Sequence, residues 1–230
     1  MCRHASGRKN EKNKYELDGK ELNCTDVERD LGVIVASNSK PSEQCLMAAK
    51  KANAVLGMIK RNIKTRDKDV ILSLYKSLVR PNLEYCVQAW CPYLRKDIEV
   101  LEGVQRRATR LIDSCKNRSY IDRLKHTQLQ SLENRRVRGD MIEVFKLVKG
   151  IDRVDYTKFF TLAKDSIARD WRGHQYKLIK NEFRLDPRKY FFSNRVVADW
   201  NKLPQEVVEA STVDCFKAGL DEYNKSRGMY

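Results

Sequence analysis

Residues 78–90 read LVRPNLEYCVQAW, an apolar run broken by Arg80-Pro81 and followed by Tyr85, Cys86 and Trp90. Proline carries no amide hydrogen and pushes the residue before it out of helical geometry, so the preceding helix is expected to end near Arg80. An aromatic-rich segment begins there and hands over to LEGVQRRATRLI, residues 101–112, a basic helical pattern. The stretch poses a choice between the interior of an ordinary helical bundle and the root of a surface that grips nucleic acid.

On both sides of it, apolar residues recur at helical spacing. Upstream, in PSEQCLMAAKKANAVLGMIKRNI (41–63), Cys45, Ala49, Ala52, Val55, Leu56, Ile59 and Ile63 share one face, and Lys50, Arg61 and Lys64 point away from it. Val70, Ile71, Leu74 and Leu78 line up next, after Asp67 as an N-terminal charge or cap. Downstream, Asp97 to Cys115 places Ile98, Leu101, Val104, Ala108, Leu111 and Cys115 on one stripe. Arg106 and Arg110 stand opposite that stripe, one turn apart, with Arg107 on the flank. A fourth helix covers Leu132 to Val148, with Arg135, Arg136 and Arg138 near its start and Met141, Phe145 and Val148 facing inward. Four amphipathic helices imply a bundle over 37–150.

The flanks read differently. Residues 1–13 are polar, basic and aperiodic, a loose tail. Within 14–36, Asp18-Gly19 is a hairpin signal between Tyr15, Leu17 and Glu21-Leu22, and Leu31 to Val35 reads as a short buried strand. So few strands do not make a sheet alone, which marks them as the remnant of a larger one. Residues 151–173 show no period and read as a linker. HQYKLIKNEFRL (174–185) alternates as a strand, and Pro187 separates it from two short helices within 190–204 and 212–225. Trp200, Phe216 and Leu220 supply a small core there. The expected fold is mainly α: a helical bundle preceded by a short β-hairpin remnant and followed by a small strand-plus-helices C-terminal segment over 174–230.

A chain of 230 residues, 41% hydrophobic and 33% charged, has enough apolar side chains to bury a core. Its 46 basic and 31 acidic residues leave a net charge of +15. Residues 40–150 alone hold 24 basic and 12 acidic residues, a net of +12, so the charge belongs to the middle of the chain. Such an excess suits a polyanionic partner; the plain alternative is a basic surface that only keeps the protein dissolved. The seven cysteines are odd in number and widely spaced, with no signal-peptide core near Met1, which fits reduced thiols in the cytoplasm or nucleus. No apolar stretch approaches a membrane span, and no membrane partner is expected. Cys86 and Cys91 lack a second Cys or His pair at zinc spacing, and His4, His126 and His174 are scattered, so neither a metal nor another cofactor is expected.

No set of paired carboxylates, Ser/His/Asp residues or phosphate-cradling glycines stands out. Asp67 and Asp69 lie about 200° apart around a helix and read as helix-start acids. Cys86 reads as a buried thiol in preference to a nucleophile, and Trp90 and Tyr93 as core aromatics in preference to base-stacking ones. The candidate nucleic-acid contacts are Lys50, Arg61, Lys64, Arg106, Arg107 and Arg110. For the arginines, an ordinary solvated helix face is the competing reading, and the regional excess of cations brings phosphate contact level with it.

The runs ERDLGVIV, QCLMAAKKANAVLGMIKRNI, VILSLYKSLVRPNLEYCVQAWCPY and DIEVLEGVQRRATRLI closely resemble the end of reverse transcriptases of non-LTR retrotransposons, the LINE class of the chicken-repeat and jockey type. FFSNRVVADWNKLPQEVVEAST and FKAGL resemble the closing segment of the same family, so the likeness extends from about Tyr15 to Leu220 in the family's order. The resemblance implies that Arg80, Pro81, Leu83, Glu84 and Tyr85 lie between thumb helices and that 15–36 is the last palm hairpin. It also places the fingers, the endonuclease and a metal-binding Tyr/Phe-x-Asp-Asp turn upstream; no Asp-Asp pair occurs in this sequence. The function expected on this basis is that of a truncated, reverse-transcriptase-derived protein without the catalytic palm. It is not expected to be an enzyme, and it retains sequence-tolerant binding of RNA or an RNA/DNA duplex. The rivals are a non-catalytic protein-interaction module, with a full-length element polymerase as partner, and a non-functional remnant of a retrotransposon open reading frame.

Overall fold

The computed structural model describes residues 3–4, 15–21, 23–165 and 173–228, and the chain divides into two compact units, Met1–Leu129 and Gln130–Tyr230. In the first, β1 (Arg3–His4) pairs in parallel with β4 (Cys24–Thr25); the rest of the expected tail lies outside the described residues. β2 (Glu16–Leu17) and β3 (Lys20–Glu21) close on Asp18-Gly19, both at positive φ, as the two-residue turn requires. β5 (Val27–Asp30) pairs antiparallel with β6 (Val33–Ala36). The strand expected over Leu31–Val35 therefore starts later. Leu31 and Gly32 form a second tight turn at φ 45° and 85°, Leu31 is 85% exposed, and only Val33 and Ala36 are buried.

α1 (Ser42–Asn62) turns Cys45, Ala48, Ala49, Ala52, Leu56 and Ile59 inward, close to the expected face, and its small residues let α5 (Arg95–Arg110) approach. α2 (Lys68–Leu74) is capped as expected: the Asp67 carboxylate accepts from the Asp69 and Val70 amides. The helix does not stop at Arg80. It opens into a π turn over Tyr75–Val79, with the Arg80 amide bonded to the Tyr75 carbonyl, and runs on as α3 (Arg80–Glu84). In a regular helix the Pro81 ring would meet the carbonyl four residues back; the wider turn removes that clash and leaves Pro81 in the first turn of α3. The Asn82 amide covers the Leu78 carbonyl at 2.8 Å. This changes the buried face: Ile71, Leu72, Tyr75, Val79 and Leu83 are buried, while Val70 and Leu78 are exposed.

α4 (Val87–Trp90) follows a left-handed residue, Cys86 at φ 53°, which turns the thiol out to solvent; the buried thiol expected there is corrected. Trp90 is buried and its indole N–H donates to the Tyr85 carbonyl at 2.8 Å. α5 buries Leu101, Val104 and Ala108 as expected but ends at Arg110, because Ile112 turns extended and a 3-10 turn, Asp113–Cys115, brings Cys115 back inside. α6 (Tyr120–Thr127) was not expected. Its buried residues are Arg123 and Thr127, so no apolar stripe announces it.

The second unit begins with α7 (Leu132–Val148), which buries Met141, Phe145 and Val148. The break at 129/130 falls before this helix, whereas the pattern placed α7 in the bundle and the boundary after Gly150. The reason is aromatic packing: Phe145 stacks on Phe216 at 4.3 Å within a core that includes Trp200, Val208 and Leu220. The expected linker is corrected over 151–165, where Phe160, Leu162 and Ala163 are buried; residues 166–172 lie outside the described residues. The expected strand over 174–185 reduces to a single bridge, Leu162 with Leu178. The Asn201 side chain supplies the missing edge, accepting from the Leu178 amide at 2.9 Å and donating to its carbonyl at 2.8 Å. Short helices α8 (Asp186–Lys189), α9 (Phe192–Arg195), α10 (Val197–Trp200) and α11 (Gln205–Val208) lead into α12 (Val213–Ser226).

Candidate nucleic-acid interface

The six candidate cations lie in the first unit, on α1, just beyond its end, and on α5. At 3.6 residues per turn, Lys50 and Arg61 project within about 20° of each other around α1, and Gly57 shares their side. The same geometry sets Arg106 and Arg110 about 40° apart on α5, with Gly103 and Arg107 beside them. Arg107 reaches across the seam to α1, its Nε–H donating to Asn53 Oδ1 at 3.0 Å. The two helices pack along one seam that Arg107 crosses to Asn53; Lys50 and Arg61 stand about 60° and 80° round α1 from Asn53, on the outer side of that bank, and Arg110 stands on the outer side of α5. Each bank carries a half-buried glycine beside its cations. A Cβ on Gly57 would meet only the Arg61 guanidinium at 3.5 Å, and one on Gly103 only that of Arg107 at 3.7 Å.

The candidates differ in how far their charge is already answered. Lys50, Arg61, Lys64 and Arg110 are exposed and make no ion pair among the described residues. Arg106 is half-buried, pairs with Glu99 at 2.7 Å, and lies over the Tyr120 ring at 5.1 Å. Glu99 also holds Arg95 at 3.0 Å. Arg106 therefore belongs in part to the packing of α5 against α6. Beneath it runs a polar chain inside the unit. Tyr75 Oη donates to Gln105 Oε1 at 2.7 Å, the Gln105 amide donates to Tyr120 Oη at 3.0 Å, and Tyr120 Oη donates to Glu102. Burial, together with the hydrogen bond to Glu102, pushes the Tyr120 phenol well above its ordinary value, so it stays a donor. The buried Arg123 also lies over the Tyr120 ring, at 5.5 Å, and donates to Thr109 Oγ1 at 3.1 Å. This network positions α6 and offers no open site.

A second feature was missed by sequence reasoning. Tyr85 is 58% exposed, with its hydroxyl donating to the Leu31 carbonyl at 3.0 Å. It walls a cleft of about 250 Å³ with Gln44, Met47, Lys51, Pro81 and Asn82. The only sequence signal for it is Pro81 followed by Tyr85, on what turns out to be the same short helix end. Trp90, by contrast, is core as read, and Tyr93 is half-buried.

In the second unit, Arg138 is held by Asp221 and Arg195 by Asp140 in two-pronged pairs, and Arg136 is buried. These arginines serve the fold. Ser114 Oγ lies 3.0 Å from His126 Nε2, but Asp122, the carboxylate one turn from His126, is bonded to Ser119, and among the described residues no carboxylate orients the imidazole to complete a nucleophilic set. Among the described residues, no group of three His, Cys, Asp or Glu side chains converges to hold a metal, and no helix is long and apolar enough to cross a membrane. Comparison with known protein families, curated proteins and solved structures returns no match for this chain.

Proposed function

We propose that the chain derives from the C-terminal part of a non-LTR retrotransposon reverse transcriptase and acts, without catalysis, as a sequence-tolerant binder of RNA or RNA/DNA duplex. The observation that carries this reading is the outer side of the packed α1–α5 seam, where cations without ion partners among the described residues stand on both helices beside half-buried glycines, Gly57 and Gly103. Phosphates are read as charge, not sequence, and each lysine or arginine that meets one releases about one condensed counterion. The Arg61→Glu, Arg107→Glu double variant is expected to bind all duplex sequences more weakly and to flatten the slope of log affinity against log salt by about 2. Arg106→Glu is expected to change the slope less, because Glu99 already holds that guanidinium. A wild-type slope in the double variant, with unchanged melting, sinks the seam as the interface. The protein-interaction reading draws on the exposed apolar side chains Leu31, Val27 and Val35 of the β5–β6 hairpin.

A further inference from the structure

The Tyr85 cleft carries an inference that rests on the nucleic-acid reading and specifies it. The ring is fixed before any ligand arrives: its hydroxyl is tied to the Leu31 carbonyl, and Gly32, at φ 85°, lies so close that a Cβ there would sit 3.6 Å from the ring edge. A large aromatic surface is nonetheless left to solvent. Around it the cleft presents three kinds of polar group. The Gln44 oxygen is occupied by the Ile34 amide at 2.8 Å, which leaves its NH2 as a donor. The Asn82 NH2 is occupied by the Leu78 carbonyl, which leaves its oxygen as an acceptor. Lys51 is exposed and makes no ion pair among the described residues.

We propose that this cleft receives one unpaired nucleobase at the end of a duplex, stacked on Tyr85, with Gln44 and Asn82 along its edge and Lys51 against its phosphate. The combination selects the ligand. A flat, preset ring favours a flat partner, the cleft volume of about 250 Å³ admits a single base, and the free donor and acceptor match a base edge. An apolar peptide side chain fits worse, since it would cover Gln44 and Asn82 and leave their polar atoms unpaired. Met47 and Pro81 supply apolar walls and no competing charge.

The test uses the full chain and two RNA duplexes, one blunt and one with a single-stranded overhang carrying a fluorescent purine analogue that is quenched on stacking. The overhang is expected to bind about 5- to 100-fold tighter than the blunt end, with quenching. Tyr85→Leu should bring that ratio to unity and abolish quenching, and Tyr85→Phe should keep the quenching with a smaller ratio, since it keeps the ring but loses the bond to the Leu31 carbonyl that presets it. Lys51→Gln should lower the ratio without loss of quenching. Equal affinity for the two duplexes in the wild type, or a preference that survives Tyr85→Leu, overturns the cleft while leaving the seam in place. Failure of the wild type to bind either duplex overturns the underlying reading as well. Should Tyr85→Leu lose the wild-type circular dichroism, Lys51→Gln and the quenching decide alone: an unchanged ratio or an unquenched overhang overturns the proposal.

Discussion

His174 is 2% exposed, with Nε2–H donating to the Trp200 carbonyl at 3.2 Å and Nδ1 without a partner among the described residues. Protonating Nδ1 would place a second donor and a charge where nothing accepts them, so burial lowers the imidazole below its ordinary 6.5. The unfolded chain then binds the proton more readily than the folded one. Stability is thus full above 6.5 and lost as pH falls through that value toward the folded one. The melting temperature is expected to drop over this range, and His174→Gln to flatten the drop; equal slopes in both proteins would show that other groups dominate. At this scale the sequence was partly legible. The pattern predicts that Trp90 and Trp200 are buried, since Cys86 and Val87, and Val196 and Val197, stand four and three residues before them. It does not predict that Cys86 and Tyr85 face outward, because a left-handed residue without glycine leaves no compositional trace. Nor does it reveal that Arg106 is answered by Glu99 seven residues away, since either side chain has a solvated alternative.

Among the elements, the π turn over Tyr75–Val79 has the widest effect. Apolar residues four apart drift around an α-helix by about 40° per step, so Ile71, Tyr75, Val79 and Leu83 would not share a face in a regular helix. One wide turn absorbs the drift and returns all four to the core. A reading at constant helical period puts Leu78 on the buried line instead, which is why the sequence located this segment but misassigned its face. Leu83→Ala is expected to destabilise by about 2–5 kcal/mol, the cost of emptying a fully buried site. Leu78→Ala is expected to stay within about 0.5 kcal/mol, as for an exposed position. Urea melts measure both, and a larger loss at Leu78 would restore the regular helix. α1 and α7 were legible almost to their ends because long amphipathic stripes carry the signal. α6 was not, since polar residues form its buried side.

For the whole molecule, the decisive point is that α7 shares its core with residues far downstream. Cutting after Gly150, where the periodicity changes, separates Phe145 from Phe216; cutting at 129/130 leaves the stack and its surrounding core together. Residues 130–228 expressed alone are expected to melt cooperatively, and residues 151–228 to bind a hydrophobic dye and melt without a sharp transition. Cooperative folding of the shorter piece would mean that α7 is dispensable to that core. No local pattern encodes this division, because it is set by which aromatic faces meet. The β5–β6 hairpin bears on how copies of the protein treat one another. Ser37 N–H bonds the Asp26 carbonyl, and the alternation of pairs then leaves Val27 and Arg29 with outward N–H and C=O groups, an open strand edge. Two copies meeting there antiparallel must match outward residue with outward residue, which always sets Glu28 against Asp26, Glu28 or Asp30 of the other copy. Each of these antiparallel registers meets like charge, so the open edge resists antiparallel pairing with a second copy.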